Sequence, residues 1–294
     1  MRILVTGGAG QVGWELRRTL AAFGDVIAPA RDVLDLASAD SIVSCLRAVN
    51  PDLIVNAAAY TAVDKAESEP ELAMKINGDA PRIFAEEAAR RNIALIHYST
   101  DYVFDGRKSE PYREDDATEP ANVYGRSKLA GEQGVAASGA VHLVFRTSWI
   151  YAPRGRNFLL TMLKLGSERK ELKVVDDQFG APTSARLVAQ ATANVVCQLL
   201  ADGKPDMDRF RDAGGVYHLT AAGRASWYEF AQAILAGRRD SAKVLPIPAT
   251  AYPTPAPRPQ NSVLDNEKLR RQFGFRLPDW KTGLELCLEE MQAS

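Results

Sequence analysis

Tyr124 and Lys128 stand four positions apart in "NVYGRSKLAGEQ", residues 122–133, among residues that are mostly small or strongly helix-forming. On a helix, positions i and i+4 share a face, with about 5–6 Å between Cβ atoms. A phenol set beneath an ammonium group suits an ordinary amphipathic contact, the lysine stem lying along the ring with its charge in water. It equally suits an acid, because a nearby cation favours phenolate and lowers a tyrosine pKa from its usual value of about 10. The acid reading requires a redox cofactor and a substrate pocket elsewhere in the chain.

The cofactor signal lies at the other end of the sequence. In "VTGGAGQVG", Gly7, Gly10 and Gly13 form G-x-x-G-x-x-G after an apolar strand and at the opening of a helix. Glycines there permit a tight turn, close approach of backbone to a pyrophosphate and close helix–strand packing, while the helix N-terminus offers amide donors. The second strand ends in "APARDVLDL", where dinucleotide folds read the adenosine ribose. An acid there selects the 2′-hydroxyl and a base the 2′-phosphate. Arg31 beside Asp32 leans toward NADPH and leaves NADH possible; as a solvated surface residue Arg31 would need no function at all.

Two further residues sit at strand ends, where open α/β sheets hold their ligands. Thr100 closes "IALIHYST" and offers either a hydroxyl to a substrate carbonyl or a local cap. Trp149 follows the last parallel strand and suits core packing or a ligand face about equally. His97, His142 and His218 lack ligand spacing with one another or with a cysteine, which makes them structural.

The elements that must position these groups alternate as strand and helix. "RILVTG", "DVIAPA", "PDLIVNAAA", "IALIHYST" and "AVHLVFRTSWIY" read as strands. Between them lie helices in "QVGWELRRTLAAFG", "SADSIVSCLRAVN", "PELAMKINGDAPRIFAEEAARRN" and the Tyr124 segment. Strands apolar on nearly every residue belong in a sheet covered on both faces. The expected fold is therefore α/β, a doubly wound parallel sheet of Rossmann type. Residues 1–150 form the dinucleotide-binding part, and 151–294 form a smaller C-terminal α/β region, mainly for substrate and closely packed on the first. Ser226 is the expected N-cap of "SWYEFAQAILAGR", with Glu229 three residues on. The six prolines of "PIPATAYPTPAPRPQNS" predict an extended loop lying on the domain surface.

Composition excludes several classes. With 46% hydrophobic and 25% charged residues, a net charge of −1 and no block of like charges, nothing suggests a nucleic-acid or membrane-surface partner. Three scattered cysteines indicate thiols rather than disulfides or a metal site. The start "MRILVTGG" shows no signal peptide pattern, so a cytoplasmic location is expected.

The glycine triplet, the Tyr-x-x-x-Lys helix and "YSTDYVFDG" together resemble the extended short-chain dehydrogenase/reductases. The likeness narrows with "VNAAAYTAVDKAESEPELA", "FRTSWIY", "DQFGAPTSA" and "AYPTPAPRPQNSVLD", which appear in order and resemble the dTDP-4-dehydrorhamnose reductase family over nearly the whole chain. That resemblance implies NADPH-dependent reduction of a C4 ketone on a nucleotide sugar, the last step of dTDP-L-rhamnose synthesis, by a monomer or homodimer. It implies that Gly10, Gln11 and Val12 contact the cofactor phosphates, beside Gly7 and Gly13, and that Asp35 and Leu36 lie against adenine. Ala57, Ala59, Tyr60 and Thr61 would line the ribose and pyrophosphate groove, with Tyr98 near the nicotinamide. Tyr124 and Lys128 would reach the nicotinamide ribose, Tyr124 as proton donor with its pKa lowered by Lys128 and the nicotinamide ring charge, and Thr100 beside the ketone oxygen. Thr100, Asp101 and Trp149 would meet the sugar, and Arg258 a phosphate of the substrate.

Some reductases of this family bind Mg²⁺ through acidic residues at a dimer interface. Glu15 is present here, but the helix after "GAPTSA" carries Arg186 and Gln190, so no metal site is expected. Two alternatives stay open: a nucleotide-sugar epimerase or dehydratase of the same fold, and an NADP-binding regulatory subunit. Tyr102 after Asp101 leaves no Asp-Glu pair for elimination, and the intact Tyr124–Lys128 pair speaks against loss of catalysis.

Overall fold

Six parallel strands form the centre of the computed structural model, which describes residues 1–238 and 241–293. In chain order they are β1 (Arg2–Thr6), β2 (Asp25–Ile27), β3 (Leu53–Asn56), β4 (Ala94–Thr100), β5 (His142–Thr147) and, after an excursion, β6 (Gly215–His218). Their spatial order is β6-β5-β4-β3-β1-β2. The order reverses between β1 and β3, so the strand ends Thr6 and Asn56 flank the switch point where such sheets bind ligands. All residues of β3 and β4 are buried, as expected of strands covered on both faces.

One face is covered by α1 (Gln11–Thr19) and the helix Ala185–Gln198, whose Leu16, Val188 and Val195 join Val5, Val55 and Ile96 in one core. The other face takes the helices Ala39–Val49 and Ala80–Arg91, through Ile42, Leu46, Phe84 and Ala88. A third core, with Leu159, Leu172, Phe230 and Trp280, belongs to the second lobe. The chain beyond residue 151 thus supplies that lobe and also returns to the sheet, giving it β6 and the helix Ala185–Gln198.

Three expectations are corrected in detail. "AVHLVFRTSWIY" is two strands, because Trp149 turns out of the sheet with φ +49°; Ile150–Tyr151 then pairs with Thr183–Ser184. The helix expected over "PELAMKINGDAPRIFAEEAARRN" is present but not regular, since it widens into a π turn at Lys75–Asp79 between its α-helical ends. The proline-rich segment is extended, but Pro246 lies inside the strand Lys243–Ile247, which pairs with Glu171–Val175. Both strands of a two-stranded ribbon have a free edge, so a residue without an N–H is tolerated there.

The histidines are structural. Across β1, β3 and β4 the register partners Thr6, Asn56 and His97 form one polar chain, Thr6 Oγ1 donating to Asn56 Oδ1 at 2.6 Å and Asn56 Nδ2 meeting His97 Nδ1 at 3.1 Å. His218, at the end of β6, meets the Asp265 carbonyl, and burial pushes its pKa down to about 3. Neutral in the fold, His218 gains a proton in the unfolded chain once pH falls below its usual value near 6.5, so folding stability is lost as pH drops from there. We expect His218→Gln to lose less stability than the parent chain between pH 7 and pH 5, by about 2 kcal/mol, read from urea midpoints at each pH. Equal losses would contradict this assignment.

Candidate active site

The turn after β1 is shaped by its glycines. Gly7 has φ +68°, and a Cβ on it would lie 2.9 Å from the backbone of Ala58. A Cβ on Gly13 would lie 2.1 Å from the Gly7 carbonyl oxygen, which already accepts from the Gly10 amide at 2.8 Å. Gly10 opens α1 without a side-chain cap, so the first helical amides are free for an anion. The turn fits a dinucleotide pyrophosphate. Val12 is half-buried against the core. Gln11 sends its side chain elsewhere: Nε2 donates to the Ile150 carbonyl at 3.4 Å and Oε1 accepts from Asn157 Nδ2 at 2.7 Å. Beyond β2, Arg31 and Asp35 are exposed and Leu36 packs against the core.

Ala57, Ala59, Tyr60 and Thr61 follow β3 beside this turn. Asn77, in the π turn, holds the segment: Oδ1 accepts from the Tyr60 amide at 2.8 Å, and Nδ2 reaches the Tyr60 carbonyl and Ser127 Oγ, both at 3.0 Å. Asn77 therefore ties the cofactor loop to the helix that carries Tyr124 and Lys128. In the sequence Asn77 is marked only by an Asn-Gly pair inside a helical pattern, a weak sign of local irregularity.

That helix spans Val123–Ala137 and begins at Asn122, whose Oδ1 accepts from the Gly125 amide at 2.8 Å. Its small residues allow contact with backbone: a Cβ on Gly125 would lie 2.1 Å from the Tyr102 carbonyl oxygen, and one on Gly131 2.2 Å from that of Asn77. Lys128 is 2% exposed, and its Nζ donates to the Tyr98 carbonyl at 2.6 Å. An ammonium carries three donors, so two are left for a further partner such as ribose hydroxyls. Burial pulls its pKa down to about 8, partly offset by Glu132 one turn on. Tyr98 takes part through its carbonyl; its ring is turned into the core and its hydroxyl pairs with Thr192 Oγ1 at 2.5 Å.

Tyr124 by itself is a weaker acid here than a free phenol. Burial pushes its pKa up to about 12; a hydrogen bond from Thr100 lowers it, and the Asp101 charge raises it further. The lysine is on the same helix, and its ammonium is directed to the Tyr98 carbonyl. Thr100 Oγ1 accepts from the Tyr102 amide at 3.2 Å and has one proton to give, to Asp101 Oδ1 at 3.0 Å or to Tyr124, so it caps the strand end and can serve either acceptor. Asp101 is 3% exposed, with Ser148 Oγ donating to its Oδ2 at 2.9 Å; burial still raises its pKa to about 6, against the pull of Ser262, Ser148 and Thr100. A tyrosine, a threonine and a carboxylate thus converge at the end of β4, with a buried ammonium one turn away. This is the equipment for giving a proton to an oxygen while a bound cofactor supplies the reducing electrons.

The second lobe closes over this point. Trp149 leaves β5 two residues after Thr147, the register partner of Thr100. The proline-rich loop docks through Arg258 Nη2 on Asp64 Oδ2 at 2.8 Å and through its Pro257 carbonyl on Asn122 Nδ2 at 2.8 Å. Nη1 of Arg258 is buried without a partner among the described residues, as a guanidinium facing an anionic ligand would be.

The acidic residues do not suit Mg²⁺. Glu15 is 5% exposed and pairs with Arg186 Nε at 3.4 Å, while Nη2 of the same guanidinium meets Glu290 at 2.6 Å. The arginine occupies the place between carboxylates that a divalent ion would need, and no group of three or more metal-ligating side chains occurs among the described residues. Addition of Mg²⁺ or of EDTA should leave Tm unchanged; a rise with Mg²⁺ would contradict this reading.

The chain is similar to known proteins over nearly its whole length. The family described as RmlD substrate binding domain matches residues 1–293. The dTDP-4-dehydrorhamnose reductase of Burkholderia thailandensis is 49% identical over 303 residues, covering 99% of each chain. The enzyme of the same name from Escherichia coli K12 is 47% identical, covering 99% of this chain and 98% of its own. Among solved structures, dTDP-4-dehydrorhamnose reductase from Bacillus anthracis in complex with NADP superposes with a TM-score of 0.89 at 34% identity, covering 98% of this chain and 99% of its own.

Proposed function

This chain belongs to the dTDP-4-dehydrorhamnose reductase family, and on that premise we propose that it reduces the C4 ketone of dTDP-4-dehydro-L-rhamnose to dTDP-L-rhamnose with NADPH. The reading rests on the convergence of Tyr124, Thr100 and Lys128 at the end of β4, in a chain related to these reductases from end to end.

NADPH, when bound, supplies hydride to the C4 carbon. The chain does the rest. The Gly7–Gly13 turn and the amides of Gln11 and Val12 take the pyrophosphate, with Ala57, Ala59, Tyr60 and Thr61 along the groove and Asp35 and Leu36 near adenine. Arg31 favours the 2′-phosphate. Lys128 bonds the nicotinamide ribose with the donors that the Tyr98 carbonyl leaves over. Tyr124 gives its proton to the C4 oxygen as negative charge develops there, and Thr100 turns its one hydroxyl proton from Asp101 to the same oxygen. A phenol near pKa 12 is a weak acid at neutral pH. Lys128, whose remaining donors would hold the nicotinamide ribose, would place positive charge where it favours the phenolate and so would assist the transfer. Asp101, Trp149 and Arg258 hold the nucleotide sugar, the arginine at phosphate, and residues 151–294 form most of that half. No helix among the described residues is long and apolar enough to cross a membrane; we assign the enzyme to the cytoplasm, as a monomer or homodimer.

The test is NADPH oxidation followed by absorbance, with dTDP-4-dehydro-L-rhamnose made in situ and NADH as paired control. Stoichiometric oxidation with dTDP-L-rhamnose formed supports the proposal. Tight NADPH binding without oxidation would reject it in favour of a regulatory subunit. Arg31→Ala should lower kcat/KM for NADPH roughly ten-fold and spare NADH, which tests the 2′-phosphate assignment.

A further inference from the structure

Trp149 leaves β5 in a backbone conformation that its own side chain disfavours. Its φ of +49° lies in the left-handed region, which bulky residues adopt only when their surroundings impose it. The surroundings are specific. The Trp149 carbonyl accepts from the Thr183 amide at 3.2 Å. Gly180 presses so close that a Cβ on it would lie 2.4 Å from Cε2 of the indole. The indole itself lies against Trp227, with ring centroids 3.4 Å apart and planes 4° from parallel. Two free aromatic rings prefer an offset or an edge-to-face contact to this full overlap, so the pair is held in register by what surrounds it.

Trp227 is fixed independently of Trp149. It is the first residue of the helix Trp227–Leu235, behind a capping box in which Ser226 Oγ accepts from the Glu229 amide and Glu229 accepts from the Ser226 amide. Ser226 Oγ also donates to Asp176 Oδ1 at 2.6 Å. Phe158 packs on Trp227 with centroids 4.6 Å apart and stacks in turn on Phe230, so the ring is anchored in the core of the second lobe. Both tryptophans are nevertheless half-buried, at the edge of that core rather than inside it. Trp149 also adjoins Ser148, whose hydroxyl holds Asp101.

We propose that Trp227 is a positioning residue for the reduction: it holds the Trp149 ring in the one orientation in which that ring meets the hexose of the nucleotide sugar. Trp227 acts on substrate only through Trp149. The inference rests on the reading of Trp149 as a sugar contact, and the experiment separates the two.

Trp149→Leu, Trp227→Leu and the double variant are compared for KM of the nucleotide sugar, kcat and NADPH affinity. The strength of an aromatic pair predicts a KM roughly two- to twelve-fold higher in Trp227→Leu, with NADPH affinity unchanged. The double variant should be no worse than Trp149→Leu alone. Coupled-indole circular dichroism should vanish in both single variants, and Trp227→Phe, which keeps a flat ring and serves if Trp227→Leu fails to fold, should retain most of the parent KM. If Trp149→Leu leaves KM unchanged, the sugar contact itself is wrong. If Trp149→Leu raises KM while Trp227→Leu matches the parent, if Trp227→Phe raises KM as far as Trp149→Leu does, or if the two effects multiply, the positioning role is overturned and the sugar contact stands.

Discussion

Replacing Tyr124 by phenylalanine should lower kcat by a factor of about 10² to 10⁴, the usual contribution of a positioned proton donor, while NADPH binds as before. The phenylalanine ring keeps the edge-to-face contact with Tyr102, whose centroid is 5.7 Å away at 78°, so the pocket retains its shape and only the proton is lost. Turnover on dTDP-4-dehydro-L-rhamnose and a fluorescence titration with NADPH give the two numbers; near-normal turnover would sink the assignment. The same site carries a pH signature. Lys128 titrates near 8 in the free protein because it is buried, and it must be charged to bind ribose hydroxyls and favour phenolate. Since kcat/KM reports the free enzyme, it should decline as pH rises through about 8.

A comparably large effect, on stability, is expected from Glu132→Leu. Glu132 and Arg146 form an ion pair in which each side chain is 5% exposed, with Arg146 Nη2 on Oε2 at 2.7 Å and Nε on Oε1 at 3.0 Å. The guanidinium lies over Phe104, 5.0 Å from the ring centroid. Leucine would strand this cation in the core, a change that typically costs about 3–5 kcal/mol. For a chain of this size that lowers Tm by roughly 10 °C, measurable by calorimetry. Replacing both residues, as Glu132→Leu with Arg146→Met, should recover most of the loss, because no unpaired charge is left behind. A double variant as unstable as the single one would refute this account. Glu132 also helps to keep Lys128 protonated, so in any surviving Glu132→Leu enzyme the decline of kcat/KM should move to lower pH.

These two predictions draw differently on sequence and structure. Tyr124 and Lys128 are legible as a pair from their spacing, because the helical period alone puts them on one face. That the ammonium is directed to the Tyr98 carbonyl is not legible, since it depends on how close β4 lies to the helix. The Glu132–Arg146 pair is equally hidden: the residues come from a helix and a strand, and only packing reveals that both are buried. Asn77 announces itself weakly through Asn-Gly, but its bonds to Tyr60 and Ser127 exist only once the helix widens into a π turn.

By itself the sequence determined what local physics controls. Unbroken apolar strands separated by helical periods demand a doubly wound parallel sheet, and a glycine triplet at the end of the first strand demands a close-approach turn, where a Cβ on Gly13 would strike the Gly7 carbonyl. The motif order from Gly7 to Asp265 was enough to recognise the family. Only the tertiary structure decided what depends on distance between remote segments: the return of Gly215–His218 to the sheet, the Arg186 guanidinium between Glu15 and Glu290, and the seat of Trp149 on Trp227. Acidities belong to the same class. Burial raises the Tyr124 and Asp101 pKa values and lowers that of Lys128, and burial is a property of the assembled fold that spacing along a chain does not encode.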